Sequence, residues 1–134
     1  MATRYPIIVS SSNSIILESL SPSAQSTTST SDVVIGGAYF DPASAKIAAG
    51  TTTLTLEAVG QVVAGVTGTL TLYNVTDAST AATLTWTETS ATRKTAAVSL
   101  PAAAKIYELR LKKSGGGAGD YALVYGVNLL VTWS

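Results

Sequence analysis

The chain has 134 residues, 8 basic and 8 acidic side chains for a formal net charge of +0, and neither His nor Cys. That length is one domain with enough interior for a real core, and the missing residue types exclude disulfides, the common structural zinc sites and any nucleophile driven by an imidazole base. Balanced charge, with no basic run beyond Lys112–Lys113, leaves no footprint for a nucleic-acid backbone.

Residues 1–31 read as an extended attachment arm followed by a Ser/Thr-rich linker. Two short β-branched pieces, Ile7-Ile8-Val9 and Ile15-Ile16-Leu17, lie in a stretch whose only charges are Arg4 and Glu18. Both are far too short to cross a bilayer, and the start lacks the apolar run of an export signal. Residues 21–31, SPSAQSTTSTS, hold almost nothing apolar to bury and cannot pack a core of their own. The apolar pieces have two uses: pairing with an edge of this chain's own sheet, or adding strands to a neighbouring subunit through main-chain hydrogen bonds. The second use is the expectation, and it makes Tyr5, Ile7, Ile8, Val9, Ile15, Ile16 and Leu17 the partner-binding residues.

Residues 32–134 carry the body. Val33-Val34-Ile35 opens a strand, Gly36-Gly37 bends or bulges it, and Ala38-Tyr39-Phe40 leads to a turn at Asp41-Pro42. Period-two alternation then recurs. Leu54, Leu56 and Ala58 share a face, as do Leu70 with Leu72, Leu84 with Trp86, and Ala96 with Val98 and Leu100. Tyr107, Leu109 and Leu111 face in, with Glu108, Arg110 and Lys112 facing out. A glycine-rich run, Ser114 to Asp120, reads as a flexible hairpin connection. Tyr121, Leu123 and Tyr125 then alternate, and Val127, Leu129, Val131 and Trp133 finish the chain, with Gly126 as a break or bulge between them. Residues 43–49 and 101–105 allow at most one helical turn each. Strands at this spacing with glycine-rich turns predict an all-β protein, an antiparallel jelly-roll-like sandwich of about eight strands.

Chemistry-bearing patterns are sparse. Most of the acids fall at turns or on polar strand faces, and Asp41 with Asp120 lacks the spacing of a calcium loop. Ser114–Gly119 is not followed by the Lys-Ser/Thr of a phosphate loop. No catalytic residue, cofactor or metal is expected, so an enzyme is not expected. Trp86 and Trp133 fall in the apolar register and read as core. Tyr73 and Tyr125 fall outside it and are the candidate ligand-facing aromatics for a sugar. Asn74-Val75-Thr76 matches a glycosylation triplet and reads as a turn. Charged residues make up 12% of the chain, about half the usual share, which suits a surface covered by neighbours.

The segments GGAYFDP (36–42), TLTLEAV (53–59), GTLTLYNVTD (68–77) and YELRLKKSGGGAGDYALVYGVNLLVTWS (107–134) resemble, in texture and order, small β-sandwich virion structural proteins of tailed bacteriophages. The resemblance runs from Gly36 to Ser134, and residues 15–20 are similar to the short attachment arms that precede such domains. It implies a non-enzymatic virion protein assembled in the host cytoplasm. The leading expectation is a capsid decoration or cement protein, a homotrimer bound to the major capsid protein or another virion protein. The alternative is a tail or fibre-associated receptor- or carbohydrate-binding module. Neither expectation includes a membrane or nucleic acid as partner. The matching segments are strands and turns, so the resemblance transfers no functional residue.

Overall fold

The computed structural model describes residues 14–21, 23–42 and 52–133. They form nine strands: β1 (Ser14–Ser21), β2 (Gln25–Thr27), β3 (Val33–Phe40), β4 (Thr52–Val62), β5 (Val66–Asn74), β6 (Ser79–Trp86), β7 (Thr92–Val98), β8 (Lys105–Gly115) and β9 (Ala122–Trp133). One sheet runs β1-β9-β4-β7, with the short β2 beside β9, and the other runs β3-β8-β5-β6. All ladders are antiparallel.

The pairings nest. From the middle of the chain outward, β5 pairs β6, β4 pairs β7, β3 pairs β8 and β1 pairs β9. The chain is thus one long hairpin whose successive pairs fall alternately on the two sheets. The ladders β5–β8 and β4–β9 then close each sheet. Wrapped this way, the hairpin is a jelly roll, as the sequence predicts.

Alternation drives the wrap. In β5 every second residue from Val66 to Asn74 is buried. Leu54 and Leu56 of β4, Leu70 and Leu72 of β5, and Leu109 and Leu111 of β8 lose all contact with solvent. Each such leucine contributes roughly 1.5–3 kcal/mol through its buried apolar surface. Trp86 joins this core, and its indole N–H donates to the Thr92 carbonyl at 2.8 Å. The ring fits because residue 60 is glycine: a Cβ there would lie 2.7 Å from Trp86 Cε2.

Four features differ from the expectations. First, the body does not begin at residue 32. β1 and β2, drawn from the arm and linker of residues 1–31, pair along β9 of the same chain. β2 carries no apolar residue, and main-chain bonds to Val124, Leu123 and Ala122 place it there. Second, the inward residues of early β9 are Ala122 and Val124, not Leu123, while Tyr125 faces outward as expected. Val59 pairs Gly126 while Gly60 pairs Val124, so Tyr125 is an extra, bulged residue that shifts the parity. Third, Leu100 is exposed, because β7 ends at Val98. Fourth, residues 101–104 form a bend with no helical turn. The Gly36 irregularity in β3 falls where the sequence puts it.

Candidate functional site

The antiparallel wrap gives the sandwich two ends. The upper end holds the turn at Val63–Gly65, residues 87–91 and the glycine-rich run after β8. The lower end holds the β5–β6 turn, residues 99–104, the end of β3 and the start of β1.

The glycine-rich run at the upper end is a fitted cap. Lys113 follows the inward register of β8 and is only 3% exposed. Its ammonium donates to the Gly115 carbonyl at 3.3 Å and to the Gly117 carbonyl. Among the described residues no carboxylate pairs with it, so carbonyl dipoles alone answer the charge. Asp120 ties the loop shut by accepting from the Gly117 N–H at 2.7 Å. Gly115 and Gly116 have φ of 76° and 70°, the left-handed region that favours glycine. The Lys113 N–H donates to Ser29, which stitches the linker to the same end.

The lower end is open. Asn74 and Asp77 close the β5–β6 turn: the Asp77 N–H donates to Asn74 Oδ1 at 3.0 Å, and Asn74 Nδ2 donates to Asp77 Oδ2 at 2.9 Å. The turn is clamped to β8 by Val75 N–H to Ile106 O and by Ile106 N–H to Thr76 Oγ1. Lys105 bridges to both Asp77 carboxylate oxygens, at 2.9 and 3.1 Å. That hydrogen bond holds the Asp77 carboxyl below its usual value. Ala78, with φ of 52°, turns the chain into β6 in a conformation that disfavours a Cβ.

Beside this turn lies a cleft of about 380 Å³. Tyr107 lies at its base, 3% exposed. The phenol makes no hydrogen bond to any described residue, yet no buried polar side-chain atom is left without a partner, so the hydroxyl reaches the opening. Burial raises the phenol pKa, and the Asp77 charge adds to that effect. Exposed apolar side chains ring the same end. Tyr39 is 63% exposed and pairs directly with Ile106, which is 52% exposed, and Val75 and Leu100 lie nearby in the chain fold.

The aromatics named from the sequence are not brought together. Tyr73 lies on the outer face of the β3-β8-β5-β6 sheet, with the Arg110 guanidinium 3.7 Å from its ring centroid. Glu108 holds that arginine through bonds of 2.8 and 3.0 Å. Tyr125 lies on the other sheet, 41% exposed, and its hydroxyl donates to Gln61 Oε1 at 2.7 Å. In the arm, Ile15 and Ile16 pair with Val131 and Leu130 of this chain's β9, and Leu17 falls at the register shift before Glu18. Tyr5, Ile7, Ile8 and Val9 lie outside the described residues. So does the side chain of Trp133. The Asn74 amide is buried and engaged with Asp77, as a turn residue. Lys105 and Tyr107 escaped the sequence reading: the first is distant in sequence from its partner, and the second shows only its apolar register.

No protein-family model and no curated protein matches the sequence. Among solved structures, the chain is similar to one in the T13 viral particle of infectious bursal disease virus. The TM-score is 0.51 at 17% identity, over 90% of this chain and 31% of that chain. A mutant VP2 protein of the same virus, in derived T=1 particles, also gives 0.51, at 12% identity, over 99% of this chain and 37% of that one. The likeness is one of fold. This chain spans about a third of the length of the viral capsid chains it matches.

Proposed function

We propose that this protein is a non-enzymatic virion structural protein, a decoration or cement protein on the shell of a tailed bacteriophage. The observation that carries this reading is the complete nested jelly roll, which aligns along 90% or more of its length with chains of an icosahedral virus particle. Three further features support it. Charge is sparse. The edge strand β3 contains no charged residue, whereas the edge strand β7 carries Arg93 and Lys94 as natural edges commonly do. The exposed apolar side chains Tyr39, Ile106, Val75 and Leu100 lie at the same end of the sandwich as the start of β1.

In this reading residues 1–13, with Tyr5 and Ile7–Val9, reach the major capsid protein or another virion protein, while the sandwich associates as a trimer. Several weak contacts around one symmetric point then add by avidity. The pairing of β1 with β9 sets the proper truncation: deleting residues 2–13 leaves the sheet whole, whereas deleting to residue 20 strips the edge from β9. The short deletion should abolish co-sedimentation with shells and leave the melting temperature within about 2 °C of the full chain. Undiminished occupancy after the deletion would refute attachment through the arm. A sugar-binding module built on Tyr73 and Tyr125 gains no support, since the two rings occupy the outer faces of different sheets.

A further inference from the structure

We propose that the lower-end cleft binds one neutral sugar unit of a glycan, a role separate from shell attachment. Its volume, about 380 Å³, lies within the roughly 300–1,000 Å³ of small-molecule sites. The lining sets the ligand class. Asp77 and Lys105 face the cleft as a closed ion pair, so a ligand anion meets the carboxylate and a ligand cation meets the ammonium. Either charge would be repelled by one partner at the cost of the other's bond, and a ligand without net charge avoids this. The Asn74 amide in the lining is engaged with Asp77, and the other polar lining groups are hydroxyls: Ser79, Thr80, Ser99 and Tyr107. Hydroxyls both donate and accept, which matches a polyol better than a ligand of one polarity. Ala81, Pro101 and Ala102 add a small apolar patch suited to the C–H face of a pyranose ring.

Tyr107 adds a fixed hydrogen-bonding group to this lining. Its ring is buried in the core, and its hydroxyl enters the cleft with no hydrogen-bond partner among the described residues. A phenol so placed is pre-oriented. The protein holds its ring, so a ligand hydroxyl gains a bond without ordering the side chain. Asp77 and Lys105 are fixed in the same way by the turn they close. A single shallow site of this kind binds weakly, and many copies on one particle would multiply it.

The test is saturation-transfer NMR on the full chain. The probes are glucose, galactose, N-acetylglucosamine and their β-linked disaccharides, with acetate and methylammonium as charged controls. Transfer from at least one sugar, and from neither control, is expected. Tyr107→Phe keeps the ring and removes only the hydroxyl, and should weaken sugar binding roughly three- to tenfold with an unchanged melt. Ala102→Trp fills the cleft from an exposed loop and should abolish binding. No transfer from any sugar would overturn the assignment, as would stronger binding of either control. Sugar binding that survives both variants would also overturn it by moving the contact elsewhere. Shell attachment is untouched by each of these outcomes, since it is read on shells and not on sugars.

Discussion

The two ends of the sandwich solve one problem in opposite ways. Each brings a lysine to the border of the core, Lys113 above and Lys105 below. Above, the chain folds a glycine-rich loop over the ammonium and leaves nothing for a ligand. Below, the ammonium is neutralised by Asp77 at the rim, and next to it stays open a cleft whose phenol has no hydrogen-bond partner among the described residues. The difference teaches where to look for recognition: at the end whose polar groups the fold leaves unspent.

The comparison can be broken by substitutions at either end. The largest effect is expected at Gly116. Its φ of 70° disfavours any Cβ, and a Cβ there would meet Val66 Cγ2 at 2.6 Å and Asp120 Oδ2 at 2.7 Å. Gly116→Val should cost about 3 kcal/mol in urea denaturation. A loss below about 0.5 kcal/mol would mean that the cap is slack. Lys113→Met comes next. Replacing a buried charge by an apolar side chain of similar length should change global stability by no more than about 1 kcal/mol in either direction. Local exchange of the Gly117 amide should nevertheless rise at least about tenfold as the cap loses its anchor.

Smaller effects are expected below, and they depend on pH. Below, the bond from Lys105 lowers the Asp77 carboxyl pKa, and at the upper end the bond from Lys94 lowers that of Glu88. The stability they contribute is therefore present above the ordinary carboxylate range near 4 and is lost as pH falls through the lowered folded values. Asp77→Asn should lower the melting temperature slightly and evenly between pH 6 and 8, about two units above that range, and flatten the acid limb, so that variant and parent converge as pH falls. An acid limb identical to that of the parent protein would show that the clamp adds nothing. The smallest effect belongs to Tyr107→Phe. The phenol pKa is raised, so its contribution is intact below about pH 10 and is lost as pH rises through the higher folded value. The variant should match the parent at neutral pH and outlast it above pH 10, a difference readable by circular dichroism.

The wrap was legible because β4, β5 and β8 bury every second residue with few interruptions. Legibility failed where that signal was broken or absent. Gly126 announces a bulge in β9, but periodicity without a partner strand does not say which residue is the extra one, and here it is Tyr125. Strand β2 is Gln-Ser-Thr, held by main-chain bonds that no side-chain pattern announces. The cleft was hidden for another reason. The sequence marks the turn at Asn74–Thr76 and the inward register of Tyr107, but Lys105 meets Asp77 only because β8 runs beside β5. Ser79, Thr80 and Ser99 look like ordinary loop and strand-end residues until the fold sets them around one opening.

The nesting of the hairpin also sets the order in which the molecule can be made. Strand β9 lies between β4 and β1, so the first sheet lacks its middle until residues 122–133 have been synthesised. Before then β1 has no partner in its sheet and β4 has only β7 beside it, and both wait on a strand made later. Such distant contacts make folding slow, and the waiting intermediate exposes strands able to capture other chains. Pulse-labelled nascent chains should therefore resist protease only after β9 has left the ribosome, and assembly should begin only after that late closure.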